Sequence, residues 1–176
     1  ADRLALLKEL ESRFEGYGAS VRAVMRQAER VLKNIHGPVS SLLEVAPELG
    51  TAIETALGGA MQHIVVSDEE DAKAAIAFLK QGSIGRATFL PMTSIRGSRL
   101  QERGLEQRRG FIGIASDLVR CRPQYEEIVN NLLGCTVVVE NIDDAVELAR
   151  AFRYRFRVVT RDGQVVNAGG SMTGGA

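Results

Sequence analysis

The sequence predicts an α/β domain made of two related lobes and preceded by a helical segment of different character. Three observations carry this reading. An apolar stripe with heptad spacing runs through residues 1–35, helical and strand periodicities alternate from residue 36 onward, and the order helix–strand–helix–strand occurs twice.

The stripe consists of Leu7, Leu10, Phe14, Tyr17, Val21, Val24, Ala28, Val31 and Ile35, which fall alternately three and four apart. This is an a/d seam, a face narrow enough for one partner helix. Gly16 and Gly18 interrupt it, so two helical pieces with a break between them are expected. Such a helix can dock on the core of its own domain or pair with another helix in a coiled coil. The start at Ala1, without an initiating methionine, favours the second: residues 1–35 would be the end of a coiled-coil arm whose partner lies beyond Ala176.

His36-Gly37-Pro38 opens the globular part. A helix is expected over 47–57, with Pro47 at an early position, then a strand over 62–66. A helix over 68–80 follows, with Asp68, Glu69, Glu70 and Asp71 at the positive end of its dipole, and then a strand over 87–90. The second copy reads as helix 125–133, strand 135–139, helix 142–152 and strand 155–160. Ile64 aligns with Val137, Val66 with Val139, Asp71-Ala72 with Asp144-Ala145, and Leu57-Gly58 with Leu133-Gly134. The expected organisation is a first lobe over 36–95, a connecting segment over 96–122 and a second lobe over 123–176. Residues 110–114 form a short strand or turn within the connection. The second lobe ends in a hairpin, turning at Asp162-Gly163, and a glycine cluster.

Composition narrows the function. The 176 residues are 45% hydrophobic, so disorder along the whole length is excluded. Lys and Arg number 22 and so do Asp and Glu; with no net charge, any attraction to nucleic acid must come from a local patch. No apolar run is long enough to span a membrane, and no signal peptide is visible, so a cytoplasmic location is expected. Cys121 and Cys135 lack CxxC spacing and, with only His36 and His63, make no metal site; they are expected as reduced, packed thiols. No acid, base and nucleophile come together, so no catalytic residue is assigned.

Two constellations remain. Around Ser171 the terminal glycines lack both the GK[ST] ending of a phosphate-binding loop and the flanking pattern of a nucleophile elbow. Gly169, Gly170, Gly174 and Gly175 therefore read as positions of close backbone approach, suited to docking a terminal strand edge-to-edge on another subunit. Gly58-Gly59 ends the first core helix, where one glycine would suffice as a cap. The second constellation, Arg153-Tyr154-Arg155-Phe156-Arg157-Val158, alternates charge and hydrophobe. As a strand it would show arginines on one face, extended by Arg150 and Arg161. That face either neutralises phosphates or is a solvated strand guarded by its charges; both readings stand.

Several of these passages resemble the hinge domain of structural-maintenance-of-chromosomes (SMC) proteins, the bacterial condensin type above all. They are residues 51–66, with Leu57-Gly58-Gly59-Ala60-Met61 at their centre, residues 85–92, residues 110–113, and the ending from Asp162-Gly163 to Gly175. The resemblance implies the SMC hinge fold of two pseudo-symmetric α/β lobes and a homodimer with Gly58, Gly59, Gly169, Gly170, Gly174 and Gly175 at its contacts. It implies a coiled-coil partner segment after Ala176, and weak, sequence-independent DNA binding, for which Arg150, Arg153, Arg155, Arg157 and Arg161 are the candidates. No cofactor is expected in this fragment; ATP and magnesium would belong to distant head domains, and the cellular site would be the nucleoid. Ala168 stands where the motif commonly has proline. A ligand-binding regulatory domain of paired α/β lobes is the alternative, although it requires neither the heptad start nor the glycine-rich end.

Overall fold

A computed structural model describes residues 17–28 and 30–176. The first half of the apolar stripe, with the coiled coil expected there, lies outside these residues. The second half has a partner. Helix α1 (Ala19–Gln27) starts after Gly18 and buries Val21 and Val24, while Tyr17 and Leu32 enter the same core from either end. The Tyr17 phenol meets the Ser40 hydroxyl, and the Gly18 N–H donates to Gln62 Oε1 at 2.9 Å. Val31, which the heptad spacing puts on this face, is instead 71% exposed. Tyr17, Val21 and Val24 of the stripe thus belong to a domain core.

Beyond α1 the chain contains one motif twice. The first copy is strand β1 (Ile35–Pro38), a 3-10 turn, β2 (Glu44–Val45), a second 3-10 turn led by Pro47, helix α2 (Gly50–Leu57), β3 (Ile64–Val66), α3 (Glu69–Gln81) and β4 (Phe89–Pro91). The second copy repeats it as β5 (Phe111–Ile114), β6 (Val119–Arg120), a turn led by Pro123, α4 (Glu126–Leu133), β7 (Thr136–Val139), α5 (Ile142–Ala151) and β8 (Arg157–Thr160). Strands β9 (Val165–Val166) and β10 (Met172–Thr173) are added at the end. In each copy the leading strand is antiparallel to the central one, with a bulge before a glycine, and the central strand is parallel to the last. Ile35 opposes Val66 as Phe111 opposes Val139, and Gly37 opposes Val65 as Gly113 opposes Val138.

The correspondence reaches individual hydrogen bonds. Asp68 caps α3 by accepting from Asp71 N at 3.0 Å, and Asn141 caps α5 by accepting from Asp144 N at 2.9 Å. Asn34, at φ 58°, offers its carbonyl to Ser67 N, as Gly110, at φ 76°, offers its own to Glu140 N. The Asn34 amide then reaches Asp71. A side chain at Gly110 would collide with Asp144, so this buried carboxylate takes Arg109 Nε instead, at 2.8 Å.

The chain divides into two units. The first holds the described residues up to Glu44 and Gly59–Ile95; the second holds Val45–Gly58 and Arg96–Ala176. This partition is not the contiguous one read from the sequence. Helix α2 comes from the first copy but packs in the second unit, against α4 and β8. The segment expected as a surface connection also belongs to the second unit. Gly97 N donates to the Glu127 carboxylate, Leu100 N to Gly134 O at 2.9 Å, and Leu105 is buried in the core. The first unit carries the sheet β1-β3-β4, covered by α1 and α3 around Ile64 and Val66. The second carries the sheet β10-β9-β8-β7-β5, with Val137, Val139, Val158 and Val166 facing Ala145 and Leu148 of α5. Central strands that are buried on both faces read as unbroken valine runs, which is why they were legible.

Candidate self-association surface

The glycine-rich ending is a hairpin arm at the edge of the five-stranded sheet. Val165 and Val166 pair with Thr173 and Met172, and Asn167 organises the link between the two strands. Its N–H donates to Ser171 O at 2.7 Å, and its side-chain amide reaches Ser171 O and Thr173 Oγ1. Gln164 secures the chain's end by accepting from Gly175 N at 2.8 Å. In this register Met172 turns its backbone N–H and C=O away from β9. Its side chain is 57% exposed. An edge with unpaired backbone groups and an exposed apolar side chain is a template for another strand.

The sheet of the first unit ends at β4. Ile64 N donates to Thr88 O and Met92 N to Val66 O, so the backbone groups of Phe89 and Pro91 point away from β3, and the outward Pro91 carbonyl accepts from Ser94 N and Ile95 N at 3.1 and 3.0 Å. Pro91 is the signal that could have marked this edge from sequence, since proline lacks the N–H that a central strand must donate.

The six glycines singled out by sequence divide by what holds them. Gly58, Gly169 and Gly175 have φ of 54°, 88° and 107°, and a side chain at any of them would meet nothing within 4 Å. Gly170, at φ 109°, lies against the Tyr154 ring, and Gly169 N donates to Tyr154 O at 2.8 Å. A side chain at Gly174 would overlap the Gln164 amide. Gly59 has neither a positive φ nor a neighbour within 4 Å. Nothing among the described residues requires a glycine there.

The arginine stripe does not form as expected. Helix α5 ends at Ala151, capped by Phe152, and Arg153 and Tyr154 adopt left-handed φ of 58° and 56° while Tyr154 N returns to Ala149 O at 2.8 Å. The strand starts only at Arg157, because this helix-terminating turn breaks the alternation. Arg155 pairs with Glu102 at 2.9 Å, and Arg161 grips both oxygens of Glu140 at 2.9 and 3.0 Å. That grip holds the Glu140 carboxyl below its ordinary range. Arg157 is half-buried, with its guanidinium directed inward at Ala56 O. Arg150 and Arg153 are exposed and form no ion pair among the described residues. In the connecting segment, Arg99 pairs with Asp117, Arg109 with Asp144 and Glu147, and Arg108 lies over the Phe152 ring.

His63 has a buried Nδ1 without a partner, and burial lowers its pKa. Burial likewise raises the thiol of half-buried Cys121, whereas Cys135 is exposed beside Ser98 rather than packed as an apolar residue. Among the described residues no group of three His, Cys, Asp or Glu side chains could hold a metal ion, and no helix is long and apolar enough to cross a membrane.

Known proteins share this arrangement. Chromosome partition protein Smc of Bacillus subtilis is 44% identical over 174 residues, covering 97% of this chain, and that of Lactiplantibacillus plantarum is 40% identical over 99% of it. The chain spans 15% of the length of either protein. Among solved structures, an asymmetric dimer of the Geobacillus stearothermophilus SMC hinge domain superposes with a TM-score of 0.91. The identity is 43%, and the match covers 99% of this chain and 72% of that one. The Pyrococcus furiosus SMC hinge domain gives 0.76 at 29% identity, over 97% and 87%. The profile of the SMC proteins Flexible Hinge Domain matches residues 32–149. With the duplicated fold and this breadth of sequence identity together, the chain belongs to the SMC hinge family.

Proposed function

We propose that this hinge self-associates and thereby joins the arms of a chromosome partition protein, with the open edge of β10 at the contact. The open edge at Met172 carries the reading: its backbone groups are unpaired and its side chain is exposed at the end of a hairpin held rigidly by Asn167 and Gln164. Gly59 supports it, being a glycine that nothing among the described residues requires. The dimeric state of the Geobacillus hinge points the same way. A ligand-binding regulatory domain finds no favour in these relatives. The arm's helical partner after Ala176, ATP and magnesium chemistry in distant heads, and residence in the cytoplasm at the nucleoid are part of the same proposal for the whole protein.

Gly59→Ala is the cleanest test, since the added methyl meets nothing among the described residues and its φ is ordinary. Sedimentation velocity should show a wild-type dimer and a variant whose dissociation constant rises on the order of tenfold, equivalent to about 1.4 kcal/mol. Melting of the dissociated chain should not change. A variant that sediments as the wild type would remove the glycine motif from the interface.

Weak DNA binding is the second part of the proposal, supported by the unpaired Arg150 and Arg153. Acids already neutralise Arg155 and Arg161. In a salt titration of oligonucleotide anisotropy, Arg150→Glu with Arg153→Glu should lower the slope by about 0.9 log units per lost duplex phosphate contact. Equal slopes would take this turn out of the DNA path.

A further inference from the structure

We infer that Arg157 is a positioning residue for the first glycine motif: its guanidinium closes the C-terminal end of α2 and fixes the Gly58 corner for self-association. The inference rests on the reading of that motif as an association surface.

Arg157 opens β8 opposite Thr136 of β7. Its Nη2 donates to Ala56 O, in the last turn of α2, and lies 3.5 Å from the Thr136 hydroxyl. Four other arginines of this unit, Arg99, Arg109, Arg155 and Arg161, each pair with a carboxylate. Among the described residues Arg157 pairs with none, and burial depresses its pKa. Its charge is met instead by a helix C-terminus, where unsatisfied carbonyls concentrate negative potential. Gly58 follows two residues after Ala56, with φ 54° and ψ −131°, and its N–H returns to Glu54 O. Only glycine adopts that combination readily, and a residue free to take many conformations needs an external hold to keep one. The Arg157 bond supplies it, anchoring the last turn to a strand whose other residues, Val158, Val159 and Thr160, are fully buried. A guanidinium turned inward in this way is not offered to phosphate.

Arg157→Gln removes the reach and the charge, whereas Arg157→Lys keeps a cationic donor. Both are compared with wild type and Gly59→Ala by sedimentation, site-resolved amide exchange and DNA salt titration. Arg157→Gln should weaken self-association on the order of tenfold, as expected for losing a charged hydrogen bond. Exchange should quicken at residues 57–60 while core amides hold, and Arg157→Lys should recover most of both. The salt slope should stay that of the wild type. A slope lowered by a full phosphate contact would make Arg157 a DNA residue, and uniformly faster exchange with unaltered association would make it a core strut. Either result overturns the inference. If Gly59→Ala weakens association and Arg157→Gln does not, the inference alone fails. If neither does, the proposed interface fails and takes the inference with it.

Discussion

Gly134 ends α4 with an ordinary φ of −70°, yet a methyl there would overlap the Ser98 carbonyl and crowd the Asn130 carbonyl. Both obstacles are backbone: the Leu100 N–H bond to Gly134 O holds the Ser98 segment, and Gly134 N donates to Asn130 O. Gly134→Ala should therefore cost about 2–3 kcal/mol, the range of overpacking with little room to relax. A lower midpoint in urea at unchanged m-value would show it, and a midpoint within error of wild type would mean the Ser98 crossing is loose. Gly134 and Gly59 were both visible in the sequence as glycines near a helix end. What separates them is a carbonyl 36 positions away in one case and empty space in the other, and no local pattern records that difference. The partners of the caps Asp68 and Asn141 lie only three residues on, within the span of a local pattern.

At the scale of elements, α1 tests how far a stripe can be read. Val24 and Val31 occupy the same face by spacing, but Val24 is fully buried and Val31 is 71% exposed. Val24→Ala should lower stability by about 2 kcal/mol through lost burial and a residual cavity, while Val31→Ala should stay within about 0.5 kcal/mol. Thermal melts of the two variants decide this; equal effects would mean that the whole stripe faces a single partner. Heptad spacing specifies a narrow apolar face, not what covers it. Residues 153–158 failed for a related reason. Phe152 and Phe156 pack in one core with their rings 5.6 Å apart, and the alternation that suggested a strand is shared by a left-handed turn leading into one. Arg153 and Tyr154 carry no glycine to announce it. Strand β1 was not anticipated because His36-Gly37-Pro38 reads as a turn, and its pairing with β3 absorbs the glycine in a bulge.

For the whole molecule, self-association should make the melting temperature rise with protein concentration, because only the folded chain can pair. Differential scanning calorimetry over a hundredfold range should show this for wild type and a flatter dependence for Gly59→Ala; a constant midpoint in both would indicate a monomer. The duplication was legible because both copies keep the capped helix and the buried parallel strands. The partition into units was not, because α2 lies in the chain between strands of one unit and buries its apolar face in the other.

That placement of α2 sets an order of events during synthesis. All the residues of the first unit have left the ribosome soon after Ile95 is made, so that unit can close early. Helix α2 has by then emerged with Ala52, Ile53, Ala56 and Leu57 as an apolar face and nothing yet to cover it. Its cover includes β8, made more than a hundred residues later than α2 begins. A nascent chain stalled once Ile95 has emerged would therefore present a folded unit and, at residues 50–57, an apolar segment still uncovered, where a chaperone can bind.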